Sequence, residues 1–216
     1  MFPGHLCLMR FIRSRTRPDA VWILRNLLAP CRGLATLHAQ KWIHQDIKPE
    51  NIAAPENGLW KMLDFGSARH TEFGTKDKYP GTTLFVPPEC ISPEGEDFGE
   101  ETSSPASDVW AFAATIFLCL FGRTPHGFDY QQYLDAKERG ENPKKNVARW
   151  LHSEDGLRSF RCPAFADMPE TGQRNLQSLL EKALAFVPGH RHPNAHALLS
   201  DLEQLLSQIP PERGSR

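Results

Sequence analysis

The chain lacks paired cysteines. Cys7, Cys31, Cys90, Cys119 and Cys162 are odd in number, widely spaced and never in a C-x-x-C arrangement. That excludes a Cys-based zinc finger, argues against a disulfide framework and suits a reducing compartment, cytoplasmic or nuclear. It also lacks an excess of charge of either sign. Its 25 Lys and Arg meet 26 Asp and Glu, for a net charge of −1, so bulk electrostatics point to no nucleic acid and no acidic membrane. Long hydrophobic runs are missing too. The longest, Val109 to Phe121 with Thr115 its only polar member, has thirteen residues, too few to span a bilayer. No secretory h-region opens the chain. Arg10, Arg13, Arg15 and Arg17 precede the first acid at Asp19, which reads as a helix lead-in rather than a transit peptide. No repeat of solenoid period occurs.

What is present is ordinary globular usage, 40% hydrophobic and 24% charged residues in 216, enough for one domain at about 150 residues each. Apolar residues at Val21, Leu24, Leu27, Leu28, Cys31, Leu34 and Leu37 keep helical spacing after Pro18-Asp19, and Pro30 should bend that helix. β-prone pieces around Trp42-Ile43 and Trp60 to Leu63, separated by Pro55-Glu56-Asn57-Gly58, predict a small hairpin. Residues 92–106 are acidic, with Gly, Pro and Ser and no base, and read as a solvated loop insert. The apolar run predicts a buried helix stopped by Gly122 and Pro125. Further helices are expected near 130–139 and 146–152, from Gly172 to Phe186 and from Ala195 to Ile209, with a frayed tail from Pro210. His190, His192 and His196 have no H-E-x-x-H or companion Cys spacing and read as surface residues, not metal ligands.

Chemistry concentrates in one stretch, His44-Gln45-Asp46-Ile47-Lys48-Pro49-Glu50-Asn51, followed thirteen residues later by Asp64-Phe65-Gly66. Asn51 and Asp64 offer the oxygen ligands that Mg2+ prefers while leaving positions for phosphates and water. Asp46 can accept a hydroxyl proton, and Lys48 can neutralise a transferring phosphoryl group. That inventory suits phosphoryl transfer, in which catalysis is mostly positioning and electrostatics.

The stretch resembles the catalytic loop of protein kinases, and Asp64-Phe65-Gly66 resembles their D-F-G motif. Gly81 to Glu89 is similar to the end of the activation segment, with Pro87 where the family's A-P-E has Ala. Asp108-Val109-Trp110 resembles the start of the central buried helix of the C-lobe, and Pro188 with Arg191 the P-x-x-R element before the last helix. The likeness runs from about residue 18 to 205. It implies an α+β, predominantly α, C-lobe-like fold whose short hairpin carries the catalytic loop and D-F-G, after a hinge-like lead-in (1–17) and before a flexible tail (206–216). It implies transfer of the γ-phosphate of ATP, with Mg2+, to a protein Ser/Thr hydroxyl, since Lys48 fits the serine/threonine branch. Asp46 would be the base. Lys48 would meet the γ-phosphate, Asn51 and Asp64 would hold Mg2+, and Thr82 would bond near Asp46 and Lys48. Glu89 and Arg191 would form a buried ion pair, Asp108 would bond the catalytic loop from beneath, His44 and Phe65 would pack together, and Gly66 would complete the D-F-G turn.

Three departures qualify the likeness. Gln45 stands where an arginine usually pairs with an activation-loop phosphate. The acidic insert puts Asp108 nineteen residues after Glu89. No G-x-G-x-x-G and no V-A-I-K-like strand occurs, so N-lobe motifs are absent. The chain on its own is therefore expected to bind Mg-ATP weakly and transfer phosphate negligibly, and to expose a partly apolar upper surface for a partner or an N-lobe. The alternative is a non-catalytic, pseudokinase-like binding or regulatory module. A small-molecule kinase fits less well, because Lys48 and residues 81–89 suit peptide substrates. Because Gln cannot form a charge-assisted pair with phosphate, non-phosphorylatable residues at Thr71, Thr75 and Tyr79 should leave activity unchanged in any form that transfers phosphate. A loss above about tenfold would reject that.

Overall fold

The computed structural model describes residue 8, residues 19–55, 58–73, 81–96, 102–125, 133, 135–136, 138–141, 143–153, 162 and 164–209. The predicted lead-in, apart from Leu8, and the tail from Pro210 lie outside them, as do Thr75 and Tyr79.

Helix α1 spans Ala20–Ala39 and buries Val21, Leu24, Leu27, Cys31 and Leu34 on one face, the stripe set by its apolar spacing. Its first free amides are met from far along the chain: Val21 N–H donates to Asp167 Oδ2 at 2.7 Å, a carboxylate at a helix N-terminus. The helix runs through Pro30, which is buried within it. Its principal neighbour is the last helix, α5, Ala195–Ser207.

The central helix α2, Pro105–Phe121, is buried from Ala106 to Leu120. It starts one turn earlier than the apolar run, because Pro105 fits its first position and Ser104 N–H donates to Ser107 Oγ at 2.9 Å. It ends at Gly122, whose φ of 69° and N–H to Leu118 O at 2.8 Å form a left-handed cap. Helix α3 covers Pro143–Leu151 and α4 covers Glu170–Ala183. Tyr133, Asp135, Ala136 and Glu138 are helical, while 131, 132, 134 and 137 lie outside the described residues.

The predicted hairpin takes a different form. Strand β1 (Trp42–Ile43) pairs with β4 (Arg69–His70), and β2 (Ile52–Ala53) pairs with β3 (Lys61–Met62), both antiparallel. Two nested two-residue ladders replace one hairpin, so the catalytic-loop segment lies between β1 and β2 and Asp64-Phe65-Gly66 between β3 and β4. Strands this short carry too little alternation for pairing to be read from sequence.

Two other expectations are corrected. The 92–106 stretch is not uniformly solvated: Glu94 and Glu96 are exposed, but Ser92, Ser103 and Ala106 are buried. His192 is no surface residue either. It is fully buried, and its Nε2 lies 2.8 Å from Asp201 Oδ2, which also accepts from Lys182 Nζ at 3.2 Å. Burial chiefly pushes the His192 pKa below its ordinary value, aided by Lys182, and outweighs the opposing pull of Asp201. The contact is therefore a hydrogen bond from a neutral imidazole. The unfolded chain takes up a proton near pH 6.5 that folded His192 refuses, so this stability is complete above that pH and is lost as pH falls below it. Between about pH 7.5 and about pH 5.5, His192→Gln should lose less of its urea midpoint than the parent chain. An equal loss would count against this origin.

Candidate active site

The site is built on one carboxylate. Asp108, at the N-terminal end of α2, has no exposed side-chain surface. Its Oδ2 accepts from His44 N–H at 2.6 Å and contacts His38 Nε2 at 3.0 Å, and its Oδ1 accepts from Gln45 N–H at 2.9 Å. His38 faces two ways: its Nδ1 accepts from Ala195 N–H at 3.0 Å, so Nε2 carries the proton toward Asp108. One ring thus joins the start of α5 to the loop after β1.

Held in this way, Gln45 takes φ 66° and Asp64 takes φ 58°. Left-handed backbone costs a non-glycine residue about 1–3 kcal/mol and persists only where surrounding contacts fix it. Asp tolerates the region better than Gln. Gly66 N–H donates to Asp64 Oδ1 at 3.2 Å, and a Cβ on Gly66 would sit 3.1 Å from that oxygen, a tight contact that the Asp64 side chain would have to relieve by shifting.

Asp46 follows Gln45 and is crowded with donors. Its Oδ1 accepts from Thr82 Oγ1 at 2.8 Å and Thr82 N–H at 3.2 Å. Its Oδ2 accepts from Lys48 Nζ at 2.6 Å and Asn51 Nδ2 at 3.0 Å. Asn51 Nδ2 also bonds the Asp46 carbonyl at 2.8 Å, and Lys48 Nζ reaches Thr82 Oγ1 at 2.8 Å. Asp46, Lys48, Asn51 and Thr82 are therefore one network. The Asp64 side chain is apart from it and exposed, although Leu63 N–H donates to Asn51 O at 2.8 Å and ties the two segments together. His44 and Phe65 are in contact, with ring centroids 5.2 Å apart. Leu63 and Phe65 are exposed at 37% and 52%.

Beneath the segment from Thr82 to Glu89, the Arg191 Nη1 and Nη2 groups pair end-on with Glu89 Oε1 and Oε2 at 2.8 and 2.7 Å. Arg191 also donates to the carbonyls of Ala185, Ala106 and Phe186, so all five guanidinium N–H groups are used. Its Cζ lies 4.9 Å over the Trp110 ring. Ser107 Oγ donates to Glu89 Oε1 at 2.7 Å.

The family model for the protein kinase domain matches residues 10–202. The chain belongs to the protein kinase family. Similar proteins include Serine/threonine-protein kinase ppk6 of Schizosaccharomyces pombe, 33% identical over 107 residues, and MAP kinase kinase MKK1/SSP32 of Saccharomyces cerevisiae, 38% identical over 97 residues. Serine/threonine-protein kinase ssp1 of Schizosaccharomyces pombe is 30% identical over 195 residues. These matches cover 50%, 45% and 85% of the chain but only 13%, 18% and 27% of the relatives' own lengths.

Within this kinase domain, sequence reasoning missed His38, Ser107, Ser103 and Arg69, and it gave the Gln45 side chain no partner. None has a spacing that signals its contact, since each bonds across 18 to 157 positions. Sequence also gives no sign of the two left-handed residues. Glu89→Ala should cost about 3–5 kcal/mol by urea unfolding, because it strands Arg191, whereas Ser107→Ala removes a donor to Glu89 and the acceptor for Ser104 N–H, strands no charge and should cost about 2 kcal/mol. Near-equal losses would mean that the ion pair is not the clamp.

Proposed function

We propose that this kinase domain serves transfer of the ATP γ-phosphate to a serine or threonine hydroxyl of a protein substrate. The observation that carries the reading is the network around Asp46. An Asp, a Lys, an Asn and a Thr from two distant segments converge within hydrogen-bond reach, which is the acceptor and cation that phosphoryl transfer requires.

In this reading Asp46 orients the incoming hydroxyl and takes its proton at a carboxylate oxygen. Both oxygens already have donors, so the hydroxyl enters by displacing a Thr82 or Lys48 contact. Lys48, freed from Asp46, then faces the transferring phosphoryl charge. Thr82 carries the network into the activation segment and holds Asp46 from the substrate side. For Mg2+, the donor set fits: Asn51 commits its amide nitrogen to Asp46, which leaves its amide oxygen, and Asp64 presents an exposed carboxylate on a fixed turn. When bound, that cation would neutralise phosphate charge. Protein substrate, ATP and an intracellular setting, cytoplasmic or nuclear, belong to this proposal. Cys31, Cys90, Cys119 and Cys162 are free thiols, and among the described residues no helix is long and apolar enough to cross a membrane.

A second reading is a non-catalytic binding or regulatory module. It is favoured by exposed Leu63 and Phe65 beside Asp64, a surface suited to a partner or an N-lobe. We propose accordingly that these 216 residues alone transfer little phosphate. Radiolabel transfer to a protein substrate should be at background for the isolated chain and for Asp46→Asn alike. Transfer by the parent chain that Asp46→Asn abolishes would overturn the claim of inactivity. Joined to a glycine-rich lobe with its own lysine, the parent should transfer phosphate and Asp46→Asn should not. Equal rates there would sink the role of Asp46.

A further inference from the structure

We propose that Ser103 is a positioning residue: with Gln45 and Arg69 it forms a hydrogen-bonded clasp that fixes the catalytic loop to the start of the activation segment. This rests on the kinase reading above for its consequence, but its geometry stands apart from Asp46.

Three segments meet at Ser103. Gln45 Nε2 donates to its Oγ at 2.8 Å, and Arg69 Nη2 donates to its carbonyl at 3.1 Å and its Oγ at 3.2 Å. Those two donors fill both acceptor positions of one hydroxyl. Gln45 is the residue immediately before Asp46. Arg69 lies on β4, three residues beyond Gly66. Ser103 adjoins Ser104, which caps the helix bearing Asp108. Ser103 is 5% exposed and Gln45 is 0% exposed, so water competes little for these bonds.

The clasp also accounts for the conformation of Gln45. Its left-handed φ needs restraint on both sides. Asp108 Oδ1 supplies one by taking its backbone N–H, and Ser103 supplies the other by taking its side-chain amide. Charge matters as well: a guanidinium at position 45 would face Arg69 in a poorly hydrated site, where like charges repel strongly, whereas the glutamine amide adds no charge to the node.

Hydrogen exchange on the full 216-residue chain tests this. The amides of Gln45 to Ile47 and of Arg69 to Thr71 are read against Leu198 to Leu202 in α5. Ser103→Ala should speed exchange in both site segments by about tenfold and leave α5 unchanged. Gln45→Met, which keeps the shape and removes the donor, should do the same at Gln45 to Ile47, and it serves if Ser103→Ala does not fold. Ser103→Thr, which keeps the hydroxyl, should stay within about threefold of the parent. The proposal fails if Ser103→Ala and Gln45→Met leave both segments unchanged. It fails equally if α5 accelerates in step with them, or if Thr behaves as Ala. None of these measurements involves phosphate transfer, so loss of the kinase reading in the radiolabel assay leaves them unaltered.

Discussion

The site depends first on the Asp108 carboxylate. Three donors, two from loop backbone and one from His38, converge on a group with no contact with water. A buried carboxylate is tolerable only when its oxygens are satisfied. The loop therefore cannot move away without exposing the fold to that desolvation cost. This mutual need makes a strained loop rigid: Asp108 requires the amides of His44 and Gln45, and they hold their conformation because Asp108 takes them. The whole stretch from Asp46 to Asn51 hangs from that support.

A second support works from the other side. Arg191 spends all five of its donors in one buried place and reaches Glu89 across 102 positions of sequence. It joins the loop after α4, the N-terminal turn of α2 and the activation segment. Asp108 fixes the catalytic loop from below, and Arg191 fixes the segment that brings Thr82 over it. Both set where Asp46 and Thr82 meet.

Much of this was legible in the sequence, and the boundary has physical causes. Helices α1, α2, α4 and α5 are long and patterned, so spacing and end signals located them to within a turn or so. The stretch from His44 to Asn51 was legible because its polar residues are contiguous. The two ladders were misread because a two-residue strand has no period, and only its partner defines it. His192 was misread because a lone histidine looks alike inside and outside, and what buries it is the packing of α4 against α5. Ser103 was hidden in an acidic, turn-rich stretch whose composition describes its exposed members, Glu94 and Glu96, better than its buried ones, Ser92, Ser103 and Ala106.

The ring of His38 links these supports to time as well as space. It contacts Asp108, 70 positions on, and the first amide of α5, 157 positions on. A nascent chain leaves the ribosome from its N-terminus at about 5–20 residues per second. The loop bearing Asp46 is thus made before Arg191 and Ala195 emerge. Until then Glu89 and His38 lack these partners. A domain wired in this way acquires this geometry only once its last helix has been made, so copies cut short before α5 carry Asp46 and Asn51 without these supports.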